Sequence, residues 1–518
     1  MMFPKNCWLR STAVGMCIAA AALAATPGWA QKRGGTLIVG SEAEFNGFNP
    51  IKVKGMNSNT LAPSLTVMEG LFAYGNDQTI EPRLGLELKD APDHKSATVT
   101  LRQGVTFHDG TPFNADAVIF HYRRVLDPQN SISAASMLSP IESVEAVDAY
   151  TVRFNLKHPW AALKSALALD SVINLIGSPK ALTDDPDGFQ RKPIGTGPYV
   201  FDEWRTGDRV IVSRNENYWD KDRPYLDRII FRIVPDQVTL HQSVKSGEIH
   251  MALGNTAQPV VDAREAPNLQ IIDYVGGSTT GWGLNQSKPP FNDLRARRAI
   301  IAAFDSQAFA DGYFMGTVKV ADGIFAPNSP WYCGGSNGWR GYDLPAAKAL
   351  LKEIGKPVQL TMNSTNTPGG RRLASISQQF AQAAGFQAKI KLVDQAQHVR
   401  NFYANDFQMA SWRPQIPDGD PDHMVSLMYS TEGARTVSKY SSAKMDALIQ
   451  QGRTETDTTK RKKIYCEIER LVSDDAILIM PIRLVSHMIA GKKVKNVPAP
   501  RGNIVLVRDI WLDDSSGN

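Results

Sequence analysis

The stretch GVTFHDGTPFNADAVIF, residues 104–120, contains the end of a strand, a turn and the start of a helix. Asp109-Gly110 is a typical turn dipeptide, and Asn114 is a good N-cap for the helical run that follows it. His108 directly precedes Asp109, and such a pair also occurs in catalytic and metal-binding dyads. Because each residue of the stretch has a structural task, we interpret His108 as a hydrogen-bonded turn residue.

The chain before residue 290 is rich in predicted strands. Apolar runs such as TLIVG, SATVTL, YTVRFNL, RVIVSR and RIIFRIV are separated by turn-forming residues. In SATVTLRQGVTF we expect Val99, Leu101, Val105 and Phe107 to share one buried side. The run GTGPYVF resembles a phosphate-binding loop, but Pro198 has no N–H group and a strand follows it, so we predict a bend.

The chain after residue 290 has an α/β pattern. NDLRARRAIIAAFD predicts a helix capped by Asn292 or Asp293, and LPAAKALLKEIG predicts a helix that ends at Gly355. PVQLTM, RRLASISQQFAQAAG and QAKIKLVD predict strand, helix and strand, which implies a parallel βαβ unit. We expect AILIMPIRLV to form a buried strand that leads the chain back to its first part.

Length and composition are those of an ordinary globular protein. The chain has 518 residues, of which 42% are hydrophobic and 21% are charged, and this length suffices for two or three domains. The formal net charge of +5 is too small to indicate a nucleic-acid partner. We therefore expect no nucleic acid among its partners.

The N-terminal residues indicate export. Lys5 and Arg10 precede an alanine-rich apolar run that ends in GWA. This pattern predicts a signal peptide over residues 1–30, with cleavage after Ala30. No other stretch approaches the roughly 18 apolar residues that a membrane-spanning helix requires. We therefore expect an exported protein.

Two cysteines, Cys333 and Cys466, remain after the predicted cleavage. They could pair in an oxidising compartment, but the sequence does not show how far apart they lie. Neither belongs to a CxxC or mixed Cys/His motif, and the histidines form no HExxH pattern. We expect no metal site and no cofactor.

Two weak serine motifs keep a hydrolase open as an alternative function. GGSNG, with Ser336 at its centre, matches an esterase elbow, although loop-like sequence surrounds it where that motif needs a strand and a helix. Ser441 and Lys444 form an S-x-x-K pattern like that of β-lactamases, with the companion elements in the reverse chain order. We interpret Ser441 or Ser442 as the N-cap of the following helix.

Several longer runs occur in a fixed order that matches a known family. They include GGTLIVG, MEGLFAYGNDQTIEPRLGLEL, LRQGVTFHDGTPFNADAVIFHYRRVLDP, PIGTGPYVFDEW, NENYWDKDRPYLDRIIFRIVPD and LNQSKPPFNDLRARRAIIAAFD. In this order the chain resembles the dipeptide/oligopeptide-type solute-binding proteins of bacterial ABC importers, extracellular solute-binding family 5. The resemblance covers nearly the whole mature chain, and its most specific segment is residues 101–128.

The resemblance implies an α/β fold of two lobes, of the large three-domain type, with mixed sheets. Two crossover segments would form the hinge, near residues 274–285 and 479–490. The expected units are the signal peptide (1–30), the core of lobe I (31–74 with 193–276 and 488–518), its inserted subdomain (75–192) and lobe II (277–487).

The family's role implies a function for this chain. We expect a periplasmic receptor, acting as a monomer and not as an enzyme, that captures a small solute between its lobes. The solute would be a short peptide or peptide-like compound, delivered to ABC permease subunits in the inner membrane. Besides the serine hydrolase, a peptide-holding chaperone or a signalling receptor on the same fold is an alternative.

The run SWRPQIPDGDPDHM holds the strongest candidate ligand contacts. Trp412 offers a flat apolar surface, and Arg413 offers a planar fork for a carboxylate or phosphate. In peptide-binding relatives an aspartate in a matching DP context holds the peptide's α-amino group, and Asp420 matches that position.

Two other places are expected to face the cleft between the lobes. Glu44 and Phe45 follow the first strand and would reach a bound solute from lobe I. Trp282 lies at the expected hinge and would line the pocket there.

Overall fold

The computed structural model describes residues 32–53, 58–75, 77–130, 133–335, 337–413, 419–433 and 439–513. The predicted signal peptide and Ser336 lie outside these described residues.

The strands are numbered in chain order over the described residues. They are β1 (Thr36–Ser41), β2 (Phe72–Tyr74), β3 (Ile80–Pro82), β4 (Gly85–Asp90), β5 (Ser96–Leu101), β6 (Ile141–Asp148), β7 (Thr151–Leu156), β8 (Tyr199–Arg205), β9 (Arg209–Arg214), β10 (Arg228–Ile233), β11 (Met251–Leu253), β12 (Leu269–Val275), β13 (Gly281–Leu284), β14 (Lys319–Val320), β15 (Gln359–Thr365), β16 (Gln387–Val393), β17 (Met409–Trp412), β18 (Leu478–Ile479), β19 (Ile482–Arg483), β20 (Val485–Gly491), β21 (Val494–Lys495) and β22 (Trp511–Leu512).

The α-helices follow the same convention. They are α1 (Ser58–Val67), α2 (Ala115–Leu126), α3 (Leu163–Ala168), α4 (Pro179–Asp184), α5 (Gln237–Ser246), α6 (Ala257–Glu265), α7 (Leu294–Ala303), α8 (Ser306–Phe314), α9 (Leu344–Ile354), α10 (Pro368–Ala384), α11 (Gln395–Tyr403), α12 (Asp422–Tyr429), α13 (Ala443–Thr454) and α14 (Thr458–Asp474).

The first lobe contains two of the three large sheets. A seven-stranded mixed sheet has the order β12-β20-β11-β1-β10-β9-β8, with β1 parallel to both of its neighbours. A separate antiparallel sheet has the order β4-β5-β7-β6. The predicted strands of the first half of the chain are thus confirmed, and most lie in one of these two sheets.

The second lobe is built on a five-stranded sheet of order β16-β15-β17-β13-β18. Strands β15 and β16 are parallel and α10 connects them, which confirms the predicted βαβ unit. The caps predicted from the sequence are also present, because Asp293 accepts a hydrogen bond from the Arg295 N–H and Gly355 ends α9 in the left-handed conformation. The fold is therefore the expected two-lobed α/β architecture.

Separate hydrophobic clusters support the two lobes. One cluster joins the seven-stranded and four-stranded sheets, and it includes Leu37, Phe154 and Met488. Two others lie in the second lobe, one around the five-stranded sheet and one around α12, α13 and α14. Apolar burial is the dominant stabilising contribution to a domain, so each lobe has a core of its own. The exact boundaries of the lobes and of the inserted subdomain stay a prediction.

The chain crosses between the lobes twice. It leaves the seven-stranded sheet after β12 and enters the five-stranded sheet at β13, and it returns between β19 and β20. The Leu484 N–H donates to the Ser278 carbonyl over 2.8 Å, which ties the two crossovers to each other. Both crossings lie within the segments predicted for the hinge.

The expectation of a single buried strand over AILIMPIRLV was wrong. The run forms two strands, β18 and β19, which pair with different partners, β13 and β14. Pro481 stands between them and has no N–H group with which to continue a ladder. The Pro481 carbonyl instead accepts from the Ala321 N–H over 3.1 Å.

The structural interpretation of His108 is confirmed. Its ring Nε2 bonds the Gly197 carbonyl at 3.0 Å, and its backbone N–H donates to the Gly195 carbonyl. Both glycines lie in the GTGPY run, which is the predicted bend before β8. A Cβ on Gly195 would lie 2.1 Å from the Val67 carbonyl oxygen, so this bend excludes larger residues. His108 therefore fixes the bend to the turn at Asp109.

Cys333 and Cys466 form a disulfide, which settles the alternative that the sequence left open. Their Cα atoms lie 5.5 Å apart, and the bond joins the loop before α9 to α14 across a sequence separation of 133 residues.

The close contact between β13 and β18 gives a first prediction. A Cβ on Gly281 would lie 1.9 Å from the Ile479 carbonyl oxygen, so the β13–β18 pair must separate to admit alanine. We expect Gly281→Ala to lower the free energy of unfolding by about 2–3 kcal/mol in denaturant titration. The control is Gly312→Ala in α8, where nothing lies within 4 Å of the new Cβ. The control should gain about 0.5–1 kcal/mol. Equal effects of the two substitutions would contradict the steric argument.

The disulfide gives a second prediction. Replacing Cys333 and Cys466 together by serine should lower the free energy of unfolding by about 2–5 kcal/mol, because the bond closes a long loop in the unfolded chain. Denaturant titration with and without a reductant measures this difference. The reductant should shift the wild-type midpoint and leave the double-serine midpoint unchanged, and a wild-type midpoint that ignores the reductant would refute a stabilising bond.

Candidate functional site

The carboxyl edge of the five-stranded sheet presents Trp412 and Arg413. Ligands of open α/β sheets bind outside this edge. Trp412 ends β17 and is partly buried, while Arg413 follows it and is exposed. Phe402 of α11 stacks on Trp412 with ring centroids 5.5 Å apart and 28° between the planes. The tryptophan is thus held by an aromatic neighbour and keeps part of its surface accessible.

Polar contacts fix the backbone that carries Trp412. The His398 ring Nε2 bonds the Ser411 carbonyl at 2.9 Å, and the Ser411 hydroxyl accepts from the Ser364 hydroxyl at 3.2 Å. Ser364 lies on β15 and His398 lies on α11, so three elements meet at this strand end. Residues 414–418, which complete the predicted run, lie outside the described residues.

Asp420 forms a buried ion pair with Arg461 of α14. The guanidinium donates to both carboxylate oxygens, and Nη2 lies 2.7 Å from Oδ1. The Asp420 side chain is 10% exposed and that of Arg461 is 4% exposed. Burial raises the pKa of the Asp420 carboxyl, and the charge and hydrogen bonds of Arg461 oppose this rise.

Further contacts around Arg461 complete the site of this ion pair. Its Nε donates to the Gly452 carbonyl over 2.6 Å, and its guanidinium lies over the rings of Trp331 and Tyr465, at 5.1 and 5.3 Å. A buried charge pair is stable only when its remaining polar atoms are satisfied in this way. In this arrangement Asp420 fixes its loop against α14, and its contact with a solute stays a prediction.

The loop of Asp420 also touches the first lobe along a polar contact that we call the seam. It comprises Tyr74, Trp160, Ala161 and Ser165 on one side and Gly419, Asp420, Asp422 and Arg453 on the other. Trp160 Nε1 donates to Asp422 Oδ2 over 2.8 Å, and the Asp420 N–H donates to the Ser165 hydroxyl over 3.1 Å. The Ala161 N–H donates to the Arg453 carbonyl over 3.0 Å. The two lobes therefore contact each other here.

Glu44 and Phe45 both lie within the first lobe. The Glu44 carboxylate accepts hydrogen bonds from the Phe45 N–H, the Trp204 indole and the Gly207 N–H. The Phe45 ring is buried edge-on against Trp204 and Phe231. These contacts give both residues packing tasks, and their contact with a solute stays a prediction.

Trp282 lies at the centre of the second lobe. It is 0% exposed, and its indole N–H donates to the Ser377 hydroxyl over 3.0 Å. It pairs with Ser411 on the neighbouring strand, so the structure brings it close to Trp412 in the sheet. A contact between Trp282 and a solute stays a prediction.

The S-x-x-K pattern of Ser441 and Lys444 lies at the start of α13. Ser442 caps α13 by accepting from the Met445 N–H, and Lys444 pairs with Glu467 at 3.0 Å. This confirms the interpretation of the S-x-x-K pattern as a helix start. Among the described residues, no group of three or more His, Cys, Asp or Glu side chains is placed to hold a metal ion.

The sequence analysis missed most residues of the seam. Trp160, Ser165 and Arg453 were not singled out, and neither was Arg461, whereas Asp422 was expected only as a possible acceptor for an ammonium group of the solute. Arg461 stands in a run of basic residues, TKRKK, whose local pattern gives no sign of a buried member.

No helix in the described part of the chain is both long and apolar enough to cross a membrane.

The sequence is similar over most of its length to bacterial binding proteins. Residues 79–436 match the family model of bacterial extracellular solute-binding proteins, family 5 middle. The chain is 29% identical over 505 residues to di/tripeptide-binding protein 2 of Pseudomonas aeruginosa, covering 92% of this chain and 94% of that one. It is 28% identical over 488 residues to the glutathione-binding protein GsiB of Pectobacterium atrosepticum, covering 90% and 92%.

The fold is shared with a solved periplasmic binding protein. The ABC transporter-associated protein DppA from Helicobacter pylori, in complex with the peptide STSA, superimposes with a TM-score of 0.77. The two chains are 23% identical over 93% of this chain and 99% of the other, so this likeness bears on the fold alone.

The buried ion pair gives a third prediction. Asp420→Asn and Arg461→Met should each lower the free energy of unfolding by about 3–5 kcal/mol, since each leaves a buried partner unsatisfied. The double substitution Asp420→Asn/Arg461→Met should cost much less than the sum of the two single ones. As a control, Lys444→Met breaks an exposed pair and should change stability little. Additive single effects would show that the two side chains do not depend on each other.

Proposed function

This chain belongs to the bacterial extracellular solute-binding proteins of family 5, and from this premise we propose that it is the periplasmic receptor of an ABC importer. It captures a small solute between its lobes and delivers it to permease subunits in the inner membrane. One observation carries the proposal: two lobes with separate hydrophobic cores are joined by only two short crossovers. Such a connection allows the lobes to rotate without disturbing either core.

Closure follows from differential affinity. A solute shifts the lobes toward the closed form only if it makes contacts there that it lacks in the open form. An affinity near 1 μM corresponds to about −8 kcal/mol, which a buried aromatic contact and a few charge-assisted hydrogen bonds can supply. No bond of the solute has to be made or broken, and we propose that the protein acts as a monomer and catalyses no reaction.

The solute we propose is a short peptide or peptide-like compound with a free carboxylate. The names of the relatives support this class, because they include a di/tripeptide-binding and a glutathione-binding protein. Arg413 supports it further, since this exposed residue directly follows the partly accessible Trp412 at the carboxyl edge of the sheet. Trp412 would pack against the solute and Arg413 would bind its carboxylate.

The remaining residues predicted to contact the solute would mainly form the walls of its pocket. Asp420 would hold the edge of the pocket through its ion pair with Arg461. Its position beside the seam would also let it contact the solute. Glu44, Phe45 and Trp282 would shape the pocket through their packing.

We also propose the expected division of the chain: a signal peptide (1–30), the core of lobe I (31–74 with 193–276 and 488–518), its subdomain (75–192) and lobe II (277–487).

The compartment agrees with this role. The disulfide between Cys333 and Cys466 persists in an oxidising environment such as the periplasm. Export through the predicted signal peptide would place the protein there.

A thermal-shift screen followed by affinity measurement tests the proposed function. Di- and tripeptides with a free C-terminus should raise the melting temperature, and their C-terminal amides should not. For a peptide that binds, Arg413→Gln should raise Kd about 10- to 100-fold, because a charge-assisted hydrogen bond is lost. The control, Arg123→Gln, removes an exposed arginine on α2 in the first lobe and should leave Kd unchanged.

Two outcomes would count against this proposal. Equal binding of the free acids and their amides would remove the carboxylate from recognition. Recovery of hydrolysed peptides from the incubation would indicate an enzyme.

A further inference from the structure

We propose that the seam is a latch, in which the Trp160 indole and the Asp422 carboxylate hold the closed form and thereby set the affinity for solute. This inference rests on the proposed function, because it identifies residues outside the pocket that position the lobes for capture. Trp160 and Asp422 are 262 positions apart in sequence and belong to different lobes.

The central contact of the latch is buried and charge-assisted. Trp160 is 4% exposed and the Asp422 side chain is 2% exposed, although each lies at the surface of its own lobe's core. Asp422 Oδ1 also receives a hydrogen bond from Arg453 Nε over 3.2 Å, so the carboxylate keeps one partner in its own lobe. When the lobes separate, Asp422 remains paired with Arg453 and gains water in place of the indole. The contact is therefore reversible at a modest free-energy difference.

A second set of contacts continues the latch. The Ser165 hydroxyl, which receives the Asp420 N–H, also bonds the Tyr74 hydroxyl in the first lobe. Gly419, with φ near +113°, lies against Tyr74, and a Cβ there would be 2.5 Å from the tyrosine oxygen. A glycine is thus required for the loop to approach the first lobe this closely.

The ion pair of Asp420 with Arg461 positions this loop. Arg461 belongs to α14 and holds Asp420 by both carboxylate oxygens, while Asp420 Oδ1 accepts the Asp422 N–H over 3.0 Å. Contacts within the second lobe therefore fix the position of Asp420 and Asp422 independently of the first lobe. Asp420 and Arg461 are positioning residues for the latch.

The two sides of the seam belong to different cores. Trp160 and Leu163 pack in the cluster of the first lobe, and Met424 and Val425 pack in the cluster around α12 to α14. The polar contacts described across the seam are hydrogen bonds, which water can replace on opening. Separation along this interface uncovers Trp160 and leaves the other members of the two clusters packed within their own lobes.

Hydrogen exchange of the Ala161 amide measures the opening of the latch directly. The Ala161 N–H donates to Arg453 across the seam, so its exchange reports closure without any solute. We would refold the full chain from guanidinium with its disulfide intact to remove retained compounds. The wild-type amide should be protected, and Trp160→Phe and Asp422→Asn should each speed its exchange about 3- to 10-fold.

Two matched controls separate the latch from general destabilisation. Ser165→Ala should speed exchange of the Ala161 amide, while Ser171→Ala should not, because the Ser171 hydroxyl is buried in the same lobe and has no hydrogen-bond partner among the described residues. Trp339→Phe, at a partly buried tryptophan of the second lobe, is the control for Trp160→Phe.

The affinity for a peptide gives the functional readout. With trialanine and glutathione as probes, Trp160→Phe should raise Kd about 3- to 10-fold, and Ser171→Ala should leave it unchanged. If the Ala161 amide exchanges equally fast in the wild type and in Trp160→Phe, the latch is refuted whatever the peptides do. If the amide is protected as expected and neither probe nor any other peptide binds, the latch stands and the proposed solute class fails.

Discussion

The close packing of β13 against β18, next to the two crossovers, is the constraint on which the rest of the structure depends. Strand β13 enters the second lobe at Gly281, and β18 runs beside it with the Ile479 carbonyl where a side chain would otherwise lie. A bulkier residue would separate these two strands at the point where the chain enters the second lobe. The Leu484 N–H donates to the Ser278 carbonyl, so the outgoing and returning connections lie side by side and the lobes share one hinge.

The contacts within each lobe and the contacts across the seam differ in physical character. Within each lobe the contacts are apolar and close-packed, so opening them would be costly. Across the seam they are hydrogen bonds, such as that of Trp160 with Asp422, whose partners water can solvate. The molecule therefore separates along the seam and not through a core, which is the property that a receptor needs in order to take up and release a solute.

The sequence predicted the features that depend on neighbours in the chain. Asn114, Asp293 and Ser442 are recognisable caps because each directly precedes its helix. His108 is recognisable as a turn residue because the turn dipeptide Asp109-Gly110 directly follows it. The order of several longer runs indicated the family by resemblance, and with it the two lobes and the approximate hinge.

The sequence could not predict contacts between distant parts of the chain. Arg461 lies 41 positions from Asp420 in a run of similar basic residues, and nothing local distinguishes it from Lys460 or Lys462. The seam escaped prediction because its partners have no shared pattern. Pro481 was visible in AILIMPIRLV, but the apolar character of the run outweighed it in our interpretation.

The central claim is that the closed lobes retain a small molecule and release it unchanged. Native mass spectrometry of the protein purified from its own periplasm tests this most directly. The account predicts a discrete excess mass that disappears on unfolding and yields an intact peptide-like compound with a carboxylate. A bare protein mass under conditions that preserve other periplasmic complexes, or a released compound that proves to be a cleavage product, would contradict it.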